Sequence, residues 1–251
     1  MTGRIAQLSL AALHMAASGS YTDTARLARW LYRFGTLPRG PAIDRDFGPD
    51  DDPMAVLGMT VGGRARRLLE TTYHASSVQG WYSFTRTSTE VHIAAACKLY
   101  VSPRPEALAD AFASIADTFV RCEVRSFKVG RGIEGLLRPD KIVAYFDDHT
   151  HMVDVAGALA RSLRGCPVHG VPFTADISGD GLLSSGIDPP IGDVAASWRS
   201  WVTKHLAASL TAARVKSAAD RVAAALADIR LAGVDPEHWR PGVEPFDRSP
   251  I

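Results

Sequence analysis

Two lysines stand in runs of otherwise apolar, strand-forming residues. Lys98 lies in the stretch 91–102 and Lys128 in the stretch 125–130. A buried ammonium is costly unless it has a partner or a task. Residues two apart on a strand share a face, so Lys98 and Tyr100 point the same way. His92, six positions before Lys98, joins them if the strand is regular, and Ala94 and Ala96 leave room for a ligand beside it. The spacing puts Lys128 on a strand neighbouring that of Lys98. Arg138 and Lys141 flank the start of a further strand, with Tyr145 farther along it. Arginine offers a planar fork, lysine a point charge and tyrosine a hydroxyl donor, a set that suits a phosphate. Few carboxylates are in view to oppose it. Crowded cations and partial burial lower a lysine's pKa, and a lysine so lowered can act as a general base. The plainer reading of the same residues is snorkelling cations at strand ends and packed tyrosines.

Other chemistries find less support. There is no GxxxxGK[ST] loop, and Gly130-Arg131-Gly132 does not complete GxGxxG. The 170–174 stretch holds no nucleophile elbow. Asp147, Asp148, His149 and His151 crowd four possible metal ligands into five residues, but at a strand-to-helix junction Asp148 or Thr150 reads as a helix cap. Asp176 to Gly181 is too short for a calcium loop. Arg64, Arg66 and Arg67 read as a solvated helix face. Cys97, Cys122 and Cys166 form no CxxC pair and read as reduced thiols of a cytoplasmic protein. With a net charge of +1 the chain has no global field for nucleic acid or an anionic membrane. No run approaches a membrane span. Gln7, Ser9 and His14 interrupt the apolar start, which reads as an amphipathic helix rather than a signal peptide.

The elements that must position these residues give an α+β pattern: a helical N-terminal part, a mixed β-sheet with packed helices, and a helical C-terminal part. Helices are expected over 3–17 and 24–34, then a Pro-, Gly- and Asp-rich loop over 38–53 containing Asp50, Asp51 and Asp52. Residues 54–74 read ambiguously. Strands are expected from Trp81, over 90–102, 123–129 and 141–146, and as a short edge over 168–174. Helices are expected over 103–121, 149–164, 191–213 and 215–231, and a loop over 175–192. The implied organisation is a helical region 1–75, a central domain 76–232 and an irregular tail 233–251.

Taken in order, five motifs resemble the HopA-type type III effector family. Lys98-Leu99-Tyr100-Val101-Ser102 before Pro103 is similar to its KxY strand, and Phe127-Lys128-Val129 to its second lysine strand. Arg138-Pro139-Asp140 through Tyr145 resembles its RxD…Y strand, and the stretches ending at Thr174 and running through Asp188 resemble its C-terminal signatures. The likeness covers roughly 80–210. That family is itself related to phosphothreonine lyases, including the lyase domains of lanthionine synthetases. The resemblance implies β-elimination of phosphate from phosphothreonine or phosphoserine, leaving dehydrobutyrine or dehydroalanine, without metal or organic cofactor. It implies Lys128 as base and Lys98, Arg138, Lys141 and Tyr145 as phosphate ligands, with Thr174 and Asp188 at the peptide. The lyases carry K-x-H where this chain has Tyr100, so the acid is Tyr100, or His92, or the phosphate leaves without strong protonation. The implied substrate is a precursor peptide of the lanthipeptide or thioamitide kind, phosphorylated by a separate partner kinase. A non-catalytic phosphopeptide-binding partner of a kinase, or a secreted effector acting on host phosphoproteins, would use the same residues.

Overall fold

The computed structural model describes residues 3–47, 53–87, 97–188 and 197–242. Helices α1 (Arg4–Ser18) and α2 (Thr24–Arg33) open the chain, followed by the short α3 (Pro41–Phe47), α4 (Pro53–Val56) and α5 (Arg64–Leu69). A hairpin β1 (Tyr73–Val78) and β2 (Trp81–Arg86) leads to β3 (Cys97–Val101), α6 (Leu108–Arg121), β4 (Ser126–Gly130), α7 (Gly132–Leu136) and β5 (Ile142–Phe146). Then come α8 (His149–Ser162), β6 (Ala175–Asp176), β7 (Leu183–Ile187), α9 (Trp198–Ala212) and α10 (Ala218–Leu231). A small pair, β8 (Val234–Asp235) and β9 (Arg240–Pro241), ends the described chain.

The α+β class holds. The seven-stranded sheet has the order β1-β2-β4-β5-β3-β7-β6, and every pair is antiparallel where a mixed sheet was expected. The crossover through α6 does leave β3 and β4 running the same way, but β5 slots between them. The lysine strands are therefore not neighbours.

One sheet face is apolar. Leu99, Phe127, Ala144 and Phe146 pack with Phe112, Ile115 and Phe119 of α6 and with Val155 and Leu159 of α8. Helix α6 follows a turn begun by Pro105 and buries the stripe expected of it. Asp148 caps α8, accepting from the backbone N–H groups of Thr150 and His151. His151 is engaged with the Cys122 carbonyl. At the other end of the chain, α1 and α2 pack with α9 and α10. Leu13, Leu27, Leu31, Trp198, Leu206 and Val222 form a second core there. Asp23 caps α2 through the N–H groups of Ala25 and Arg26. No helix among the described residues is long and apolar enough to cross a membrane.

The expected edge strand over 168–174 reduces to a bridge between Val168 and Pro103, and the sheet edge is β6. The expected loop over 175–192 instead contains β7, an inner strand whose Ser-Ser-Gly sequence has little β-propensity. Gly186 is required there: a Cβ would come within 2.8 Å of the Trp198 ring. Trp239, in the segment expected to be irregular, is buried edge-on against Phe173. Asp50, Asp51 and Asp52 lie outside the described residues.

Candidate functional site

Strand register decides which side chains meet. Lys98 stands opposite Tyr145, Tyr100 opposite Val143, and Lys128 opposite Val143. Directly paired residues share a face. The sheet face away from α6 therefore carries Lys98 and Tyr100 from β3, Tyr145 from β5 and Lys128 from β4. It also carries Trp81 and Ser83 from β2, because Ser83 pairs with Lys128. Tyr145 spans the gap that β5 makes between the lysines: the Lys98 and Lys128 amines lie 5.7 and 5.6 Å from its ring centroid. The Lys128 amine also sits 4.3 Å from the Trp81 ring centre, and the Arg138 guanidinium 4.8 Å from the same ring.

Carboxylates, few of which the sequence set against the cations, pair with them directly. Asp140 is buried and accepts two hydrogen bonds at 2.9 Å from the Arg138 fork. It also pairs with Arg199 at 2.8 Å and accepts from the Tyr32 hydroxyl at 3.1 Å. Burial opposes its charge, but Arg199 and Arg138 outweigh that and hold its carboxyl well below the usual range. Asp188, expected at the peptide, instead forms an ion pair with Lys98. Among the described residues no carboxylate forms an ion pair with Lys128: burial pulls its pKa down to about 8, reinforced by Lys98 and Arg138 and partly opposed by Asp140.

The remaining expected residues divide. Tyr100 is buried against Val143 and Val171, and burial pushes its phenol well up, so it holds its proton tightly. Tyr145 is half-buried and raised for the same first reason, with Asp188 adding to it. Lys141 is separated from the group. It is fully buried, donating to the Pro103 carbonyl at 2.8 Å and contacting His169 Nδ1 at 2.9 Å, while His169 Nε2 meets the Gly35 carbonyl. Lys141 flanks the start of β5, as expected, but its amine is engaged by these buried partners and not by the cluster around Lys128. Thr174 is likewise sealed, its hydroxyl shared between the Val171 carbonyl and Ser184. His92 lies outside the described residues.

Beside Trp81 and Arg138 opens a cleft of about 1160 Å³. Its walls are α2, the β1–β2 turn, α7 and the first turns of α9. Sequence reasoning missed Tyr32 and Arg199, which come from α2 and α9. The one available signal was Arg199 itself, a cation set between Trp198 and Trp201.

No family model matches the chain, and no curated protein matches it in sequence. Solved structures do match in fold. The effector protein from Pseudomonas syringae pv. tomato strain DC3000 superposes with a TM-score of 0.57 at 12% identity, over 95% of this chain and 99% of that one. The effector protein from Pseudomonas syringae pv. syringae strain 61 gives 0.53 at 13% identity, over 96% and 100%. The fold implied by the motif resemblance is thus the fold found, from α1 through to the C-terminal helices. The type III effector and phosphothreonine lyase OspF from Shigella flexneri reaches only 0.39 at 10% identity over 45% of this chain, too distant to align site residues.

Proposed function

We propose that the chain is a carbon–oxygen lyase that eliminates phosphate from phosphothreonine or phosphoserine in a peptide. The observation that supports this most is Lys128, a half-buried amine lowered to about 8 beside Lys98 and Arg138. In the reaction neutral Lys128 takes the α-proton, and that C–H electron pair becomes the Cα=Cβ bond. The Cβ–O bond breaks, and its electrons leave with the phosphate. Lys128 ends as an ammonium, and the peptide keeps dehydrobutyrine or dehydroalanine. Lys98 and Arg138 offset the charge growing on the leaving group. Tyr145, lying between the two amines and partly exposed, keeps its proton and donates a hydrogen bond to the leaving oxygen in place of buried Tyr100. The substrate in this reading is a lanthipeptide- or thioamitide-type precursor that a separate partner kinase phosphorylates in the cytoplasm. The same chemistry on a host phosphoprotein would make the chain an effector lyase.

A second reading is a non-catalytic phosphopeptide holder for a kinase. It is favoured by Asp188 and Asp140, which already occupy Lys98 and Arg138. Incubating the protein and its Lys128→Ala variant with a phosphothreonine peptide, followed by mass spectrometry, separates the readings. The lyase removes the mass of phosphoric acid, and the variant loses roughly 10²–10⁴ in rate while still binding. Hydrolysis to threonine would sink the elimination chemistry, and a bound but unchanged peptide would leave the holder.

A further inference from the structure

We infer that the cleft between α2 and α9 is a second anion site, which binds acidic side chains of the peptide next to its phosphorylated residue. This rests on the phosphopeptide reading and names the class of peptide it selects. The cleft volume of about 1160 Å³ exceeds the ~300–1,000 Å³ of ordinary small-molecule pockets and far exceeds a phosphate. Its charge is one-sided. Arg29 and Arg33 come from α2, Arg131 from the head of α7 and Lys204 from α9, with Glu134 the one carboxylate among the described lining residues.

The arrangement is built rather than incidental. Arg29 and Arg33 are four apart on α2 and present one helical face. On that face Tyr32 also stands, and its hydroxyl reaches Asp140 and Arg138. The same helix therefore carries two of the cleft cations and ties to the phosphate cluster. Lys204 is exposed one turn beyond Ser200 on the facing wall, and Arg131 is steadied by Ser77 at 2.8 Å. Trp81 and Arg138 line the inner end, and Trp81 carries Lys128 on its ring. An extended peptide with its phosphate at Lys98 and Arg138 passes from there into the cleft. Carboxylates a few residues from the phosphorylated position meet the arginines of α2, and a basic or neutral flank finds no partner there.

The test uses two fluorescein-labelled peptides, each with one phosphothreonine, one flanked by Asp and Glu and the other by Ala and Ser. Binding to the full chain is followed by anisotropy at low and high salt. The acidic peptide should bind about tenfold or more tightly at low salt, with the difference shrinking as salt screens the pairs. The double variant Arg29→Glu, Arg33→Glu should erase that preference. Lys204→Glu, exposed on the opposite wall, should reduce it independently. Equal affinity for both peptides, or an acidic preference that survives both variants, overturns the inference. Mass spectrometry of the neutral-flank peptide with the unaltered protein scores the lyase reading on its own. Absence of elimination there leaves the binding comparison to decide the cleft.

Discussion

Lys128 can be neutral near neutral pH because most of its water has been replaced by two aromatic rings and its charged neighbours are mainly cations. A base with a pKa of about 8 must lose its proton before it can act. The rate at limiting substrate should therefore rise with pH, pass its midpoint near 8 and level off above; a flat profile from 6 to 9 would remove Lys128 from the role. Arg138 has a different signature. Its Nε and one terminal nitrogen are held by Asp140, the latter shared with the Tyr32 hydroxyl, which leaves the other terminal nitrogen for phosphate. Arg138→Ala should weaken phosphopeptide binding by about 10–100-fold, read by anisotropy, with Arg138→Lys recovering only part, since a point charge lacks the fork. Strand alternation placed Lys98 and Tyr100 on one face, and the structure brings Lys128, Arg138 and Tyr145, candidates chosen from residue type and strand position, to the same side of the sheet as Lys98. Tyr32 and Arg199 were not legible in the sequence, since their helices meet the site only in tertiary structure. Asp140 sat in view within the Arg138-Pro139-Asp140 motif, but its role depends on Arg199. Lys141 was grouped with Arg138 because both flank the start of the strand, a position that does not show its amine turned to the Pro103 carbonyl and His169.

Among the elements, the short α7 is constrained by a close backbone approach. It follows β4 directly and folds back on it so closely that a Cβ on Gly130 would lie 2.4 Å from the Gly135 carbonyl oxygen, and one on Gly135 2.6 Å from the Gly130 carbonyl carbon. Backbone meets backbone, so neither side can yield by turning a side chain. Gly135→Ala should cost about 1–3 kcal/mol. A lowered denaturant midpoint at unchanged slope is the expected result, and an unchanged midpoint would show that α7 shifts freely. Because α7 leads into Arg138 and lines the cleft, phosphopeptide affinity should fall with stability. The helices were mostly visible as amphipathic runs with caps. The strand β7 was hidden, since its polar, glycine-containing sequence is held in the sheet by Trp198 packing and not by local preference.

Across the whole molecule, the two chain ends close on the sheet, although the sequence reading set residues 1–75 apart as a helical region. Arg199 is the fastening: it is buried, donates to the Pro172 and Tyr32 carbonyls and pairs with Asp140. Arg199→Met keeps the bulk but leaves the Pro172 and Tyr32 carbonyls unserved and removes the buried cation that pairs with Asp140. A loss of about 3 kcal/mol is expected. For a chain of this size that lowers the thermal midpoint by roughly 6–12 °C in a calorimetric scan. A shift under a degree or two would mean that the ends hold without it. The position of Lys128 over Trp81 has an optical consequence. An indole with a full positive charge 4.3 Å from its centre should emit differently from one beside a neutral amine. The emission of Trp81, isolated as the difference between the protein and its Trp81→Phe variant, should then titrate with Lys128 and respond when a phosphate arrives, reporting the protonation of the base without any turnover.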